Sequence, residues 1–155
     1  MRIREGDPLE IFTDKEGGVI FKKYSLMGGV TEFAEQLCET LNRTTGWMAI
    51  ITDRDSCIAA AGANRREILD KSLSHSLEQI MEERQIYQYK PGDSTIPLCS
   101  HSENPAISVA APILSEGDVL GSVLFVGSPE QLVSGEVEYK LAQSIAAFLG
   151  RHMEG

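Results

Sequence analysis

Two apolar runs near the end of the chain, Ala106 to Leu114 and Val119 to Val126, are separated only by Ser115-Glu116-Gly117-Asp118. Both runs are β-prone, and the connection has the composition of a hairpin loop. An isolated two-stranded hairpin is marginal in water, so these strands need partners and a covered face. The middle of the chain supplies them. Trp47-Met48-Ala49-Ile50-Ile51-Thr52 is a continuous apolar run, as expected for a strand buried on both faces. Asp53-Arg54-Asp55-Ser56 turns the chain, and Cys57-Ile58-Ala59-Ala60-Ala61 returns as another strand that stops at Gly62.

Helical patterns surround these runs. Val30, Phe33, Ala34, Leu37, Cys38 and Leu41 recur at i, i+3, i+4 spacing, with Thr31 placed to cap the start and Gly46 to end the helix. Asn64 followed by Glu67 resembles a capping box, and a further helix is expected to carry Leu73, Leu77, Ile80 and Met81 on one face. The last helix begins at a Ser134 cap and shows a stripe of Val137, Leu141, Ile145, Phe148 and Leu149. Glu136 near its start and Arg151 near its end match the helix dipole, and Glu136 and Lys140 are spaced for an i,i+4 pair. Tyr87 to Pro105 is polar and weakly patterned, with only Thr95 to Leu98 hinting at a short strand. This segment is expected to form a mobile lid over a pocket.

Strands joined as hairpins and flanked by helices predict an α+β domain with a mostly antiparallel sheet. The N- and C-terminal helices should cover one face, and the middle helices and the polar segment the other. A second hairpin precedes this domain. Leu9 and Ile11 alternate with polar residues, Val19 to Phe21 is β-prone, and Asp14-Lys15-Glu16-Gly17-Gly18 reads as the turn between them.

The chain has 155 residues and a formal net charge of −9. Residues 1–24 hold five basic side chains (Arg2, Arg4, Lys15, Lys22, Lys23) and five acidic ones (Glu5, Asp7, Glu10, Asp14, Glu16), so all of the −9 lies after Tyr24. A body of that charge repels a polyanion, which excludes it as a non-specific DNA reader. No apolar run approaches the roughly 20 residues that span a bilayer. Met1 is followed by charges rather than an apolar leader, and the three cysteines have no C-x-x-C spacing. A cytoplasmic protein with reduced thiols is expected.

The order of a helix, WMAIITDRD, SCIAAAG, helices, SVAAPILSEGDVLGSVLF and a final helix resembles a GAF domain over roughly residues 30–155. The opening REGDPLEIFTDKEGGVIFKKYS resembles the second half of an AbrB-type swapped-hairpin DNA-binding domain. The two in this order resemble transcription regulators of sporulation. The resemblance implies a partial AbrB-type hairpin over residues 1–25 and a GAF-like sensory and dimerisation domain over residues 26–155. It also implies that two chains exchange hairpins to complete a barrel. The preceding hairpin and basic turn, with most of the DNA-contacting arginines, are not in this sequence, so DNA binding is expected only of a full-length protein. The GAF domain would sense a small molecule, pair chains as a homodimer or tetramer, or do both, and so modulate DNA binding.

Candidate site residues follow. Arg65 and Arg66, beside the Asn64 cap, could present forked donors to a carboxylate or phosphate at a helix start; alternatively they solvate a surface near Glu67 and Asp70. His75 could line the same pocket or cap a helix. Cys38 and Cys57 lie on core patterns. Cys99, close to His101 in a polar loop, is the one thiol placed for ligand, metal or thiol chemistry, although zinc needs more ligands than this pair. Phe33, Leu37, Leu141, Ile145 and Phe148 exceed what a thin sheet face needs, and are expected to pack across a two-fold axis. No G-x-S-x-G, P-loop or G-x-G-x-x-G occurs, and nothing calls for a cofactor, a metal or catalysis. The rival readings are a structural oligomerisation module without ligand, and a thiol-dependent reductase of the GAF type.

Overall fold

The computed structural model describes residues 31–62, 65–69, 71–100, 102 and 104–153. The expected N-terminal hairpin, Asn64 and His101 lie outside the described residues.

The apolar run in the middle of the chain forms β1 (Met48–Thr52) and pairs antiparallel with β2 (Cys57–Ala61). The turn between them is held by the Asp53 carboxylate, whose Oδ1 accepts the backbone N–H groups of Asp55 (2.7 Å) and Ser56 (2.8 Å). The late hairpin forms β4 (Ala106–Ser115) and β5 (Asp118–Gly127). Glu116 and Gly117 both take positive φ (53° and 89°), the requirement of a tight hairpin turn whose twist matches its strands. Strand β5 also pairs with β1, and β3 (Tyr87–Gln88) adds to the far edge of β4, which gives an antiparallel sheet in the order β2-β1-β5-β4-β3. This is the α+β architecture the patterns predict.

Alternation along the strands divides the core in two. One face, with Ile51, Val109, Ile113, Val123 and Phe125, packs against α1 (Thr31–Thr45) and α4 (Glu136–Met153) through Ala34, Cys38, Leu41, Ala142, Ala146 and Leu149. The other, with Ile50, Ala60, Ile107, Leu124 and Val126, packs against α2 (Arg65–Ile68), α3 (His75–Glu83) and Leu98. Gly46 ends α1 as expected, with φ 81° and its N–H donated to the Asn42 carbonyl at 2.8 Å.

Four local expectations are corrected. Leu73 lies ahead of α3, because Ser74 caps it: the Ser74 hydroxyl accepts the Leu77 N–H at 3.1 Å and donates to the Pro97 carbonyl at 2.7 Å. At the start of α4 the cap is Gly135, whose N–H is bound by the Glu138 carboxylate at 2.7 Å, while the Ser134 hydroxyl is engaged with Ser108 at 2.8 Å. Within Thr95 to Leu98 there is no strand, only a single bridge between Pro97 and Ala106; the extra strand is at Tyr87–Gln88. The first part of the supposed lid is therefore a sheet edge. Tyr89 N–H bonds Ser108, Ile107 N–H bonds Ile96, and Leu98 is fully buried.

Candidate functional site

The β4–β5 register shifts between Ile107 and Val109, leaving Ser108 as the extra residue of a bulge. Its buried hydroxyl donates to the Leu132 carbonyl at 2.6 Å and so ties down the loop that follows β5. The start of that loop, the end of α1 and the described residues between Cys99 and Pro105 border a cavity of about 830 Å³. Its lining comes from Asn42 and Gly46 at the end of α1, Met48 of β1, Gly62 after β2, and Val126 to Ser128 at the end of β5. Glu67 and Ile68 of α2, Lys71, Ser72 and the residues Cys99, Ser100, Ser102, Asn104 and Pro105 complete it among the described residues. The volume lies within the roughly 300–1,000 Å³ usual for small-molecule sites. Polar side chains, with one cation and one carboxylate among the described residues, outnumber the apolar ones on this wall, which suits a small polar molecule.

The wall that carries Cys99 is built by backbone pairing. Ser72 bridges to Ser56 and Leu73 bridges to Cys99, while Cys57 bridges to Leu69. Leu73 N–H reaches the Asp55 carbonyl (3.1 Å), Ser74 N–H the Leu98 carbonyl (2.9 Å), and Ser100 N–H the Ser72 carbonyl (3.1 Å). The strap before α3 is thus fastened to the start of β2 on one side and to Leu98–Ser100 on the other. Cys57 and Cys99 thus flank the strap within one buried cluster.

The two thiols bias each other. A hydrogen bond from Cys57, and less so the Lys71 charge, holds the Cys99 pKa down at about 7 against the opposing effect of burial. The same shared bond, then burial, pushes the Cys57 thiol well up. Cys38, under α1 on the opposite face, is pushed up to about 12, chiefly by burial. All three cysteines are free.

The structure distributes the other candidates. Cys99 lines the cavity. The backbone of Arg65 opens the single turn of α2, and Arg66 is exposed and absent from the lining. His75 is also outside the large cavity; its side chain is 83% exposed, lies 3.7 Å from Glu78, and borders a shallow depression shared with Ser74, Pro97 and Cys99. Among the described residues, Lys71 and Glu67 are the charged groups on the cavity wall. They escaped the sequence reading because nothing in their spacing separates them from surface charges. Among the described residues no group of three or more His, Cys, Asp or Glu side chains could hold a metal ion, and no helix is long and apolar enough to cross a membrane.

The helical layer carries a second feature. Phe33 of α1 lies against Phe148 and His152 of α4, with ring centroids 5.9 and 5.6 Å apart. Phe148 is 48% exposed and Val137 62%, while Phe33, Leu37, Leu141 and Ile145 are half-buried.

Comparison with known proteins identifies the fold. The GAF domain of an Acinetobacter phosphoenolpyruvate-protein phosphotransferase superposes with a TM-score of 0.59 at 14% identity, covering 84% of this chain and 83% of that one. The cofactor-binding GAF domain of the nutrient sensor CodY from Clostridium difficile gives 0.55 at 11% identity, covering 77% and 83%. A type II free methionine-R-sulfoxide reductase from Thermoplasma acidophilum gives 0.59 at 12% identity, covering 80% and 94%. In sequence, stage V sporulation protein T of Bacillus subtilis (strain 168) is 37% identical over 154 residues, which span 99% of this chain and 85% of that protein. The family model described as stage V sporulation protein T C-terminal, transcription factor, matches residues 29–154. The chain therefore belongs to the stage V sporulation protein T family, and residues 29–154 are that family's C-terminal transcription-factor domain, built on a GAF fold.

Proposed function

We propose that this GAF domain binds a small polar molecule in the cavity beside Cys99 and passes its occupancy to a DNA-binding domain through paired chains. The cavity carries the reading: about 830 Å³ of space where the ends of α1, β1 and β5 meet the strap before α3, with Lys71 and Glu67 on its wall. On this reading residues 1–25 contribute one hairpin to an AbrB-type domain, and residues 26–155 form the sensory and pairing domain. The chains assemble as a homodimer or tetramer through Phe33, Leu37, Leu141, Ile145 and Phe148. DNA is read by the completed AbrB-type domain, since the net charge of −9 falls after Tyr24 and disfavours phosphate contacts by the sensory body.

A melting screen of amino acids, nucleotides and small organic acids tests the reading. A cognate compound at about 100 times its Kd should stabilise the domain by roughly 2.7 kcal/mol. For a chain of this size that is a shift on the order of 5–10 °C. For an anionic compound, Lys71→Ala should remove most of the shift, and Arg66→Ala, outside the lining, should leave it. If no compound moves the melt and native mass spectrometry of freshly purified protein finds no retained molecule, the domain is a scaffold without ligand.

A further inference from the structure

We propose, resting on the reading of this cavity as a small-molecule site, that its occupant is a zwitterion: an α-amino acid or short peptide whose carboxylate meets Lys71 and whose ammonium meets Glu67. Both residues line the cavity, yet no ion pair joins them, and neither has another ion partner among the described residues. Their separation follows from local structure. Residues four apart pair their charges along a continuous helix, with the acid first as here. Helix α2, however, is a single turn that ends at Ile68, one residue after Glu67. Lys71 therefore lies beyond it in the strap, where its backbone N–H donates to the Ile68 carbonyl at 3.2 Å. The wall keeps one open carboxylate and one open cation, both exposed.

A molecule that covers this wall takes water away from both charges, and a covered charge without a partner is costly. A simple anion would satisfy Lys71 but set a like charge beside Glu67. A simple amine would do the reverse, and an uncharged molecule would satisfy neither. Only an occupant that carries both signs answers both residues. Its zero net charge is a second advantage, because the chain's excess of −9 repels anions as they approach. The described wall offers no third charge, so the side chain should be uncharged and rest on Met48, Ile68 and Val126.

The test titrates the whole chain with the standard amino acids and their glycine dipeptides, following melting temperature and Trp47 emission. Trp47 is the single tryptophan, and its ring would lie 3.2 Å from a Cβ placed on the lining residue Gly127, so its emission reports on the cavity. A compound with an uncharged side chain should bind. The analogue of the best binder that lacks the ammonium, and the one that lacks the carboxylate, should each bind about 10- to 100-fold more weakly. Lys71→Met should erase the discrimination against the analogue without a carboxylate, and Glu67→Gln that against the analogue without an ammonium. Both residues are exposed, so the fold should survive either change. Full-strength binding of either analogue, or discrimination that persists in the variants, overturns the proposal. If the zwitterions fail while an organic acid or nucleotide shifts the melt, the sensor reading stands and the zwitterion falls; if nothing binds, both fall.

Discussion

Lys71 and Cys57 act on Cys99 in the same sense, one by charge and one by donating a hydrogen bond, and this fixes how the thiol responds to pH. The other groups around the pair are Asp53 and Cys38, which act on Cys57, Glu67 across the cavity, and His75 on the adjoining depression. A cysteine pKa lowered to about 7 means that Cys99 is a thiol below that pH and a thiolate above it. Alkylation by iodoacetamide should therefore speed up as pH rises, with a midpoint near 7 rather than at the ordinary thiol value of about 8.5. Lys71→Gln should move the midpoint upward, and Cys38 should stay silent in folded protein. A midpoint at the ordinary value in the unmutated chain would sink this account. The sequence singled out Cys99 but coupled it to His101, its neighbour along the chain. Cys57 is the group that acts on it most, and the two segments are linked only through the strap that carries Leu69 and Leu73. Sequence spacing cannot report a coupling made across a separate strap.

At the scale of elements, α4 sits on the sheet through small residues. Ala142, Ala146 and Gly150 are buried along it, and a Cβ added at Gly150 would stand 2.1 Å from the Leu114 carbonyl oxygen of β4. Two effects then oppose each other in Gly150→Ala. Helix propensity favours alanine by about 1 kcal/mol, whereas forcing helix and strand apart costs on the order of 1–3 kcal/mol or more. Backbone on backbone leaves no flexible side chain to yield, so the clash should win and the variant should be destabilised. Urea unfolding that shows Gly150→Ala to be more stable would mean that the helix is not held this close. The strands β1, β2, β4 and β5 and the two long helices were legible because each buries a long, regular apolar pattern. The misses have a common cause: Leu73, Ser134 and Tyr87–Gln88 are short stretches whose fate depends on tertiary hydrogen bonds. Ser74 outcompetes Leu73 for the helix boundary by reaching Pro97 as well as Leu77, and Ser134 gives up its cap because Ser108 occupies its hydroxyl.

For the whole molecule, what remains is an apolar stripe that the described residues leave partly exposed. Val137, Leu141, Ile145 and Phe148 run along α4, and Phe33 and His152 join Phe148 in an aromatic cluster at the junction with α1. Copies that met through this surface would bring together two bodies that each carry the chain's full excess of −9. Like-charge repulsion then works against association while apolar burial drives it, and salt screens only the repulsion, with a Debye length of about 8 Å at physiological ionic strength. Self-association should therefore tighten as salt is raised, the reverse of what an ion-paired interface would do. Val137→Asp with Phe148→Asp places charge on the two most exposed positions of the stripe and spares the half-buried Leu141, so the fold should survive as a monomer. Gln143→Lys, exposed on the same helix, should leave assembly intact; Glu138 is unsuited as a control because it caps Gly135. Sedimentation across protein concentration and salt, with circular dichroism to establish folding, measures both expectations. A folded monomer of the unmutated chain at tens of micromolar, where even weak specific dimers with micromolar Kd would form, would leave the stripe without its proposed partner.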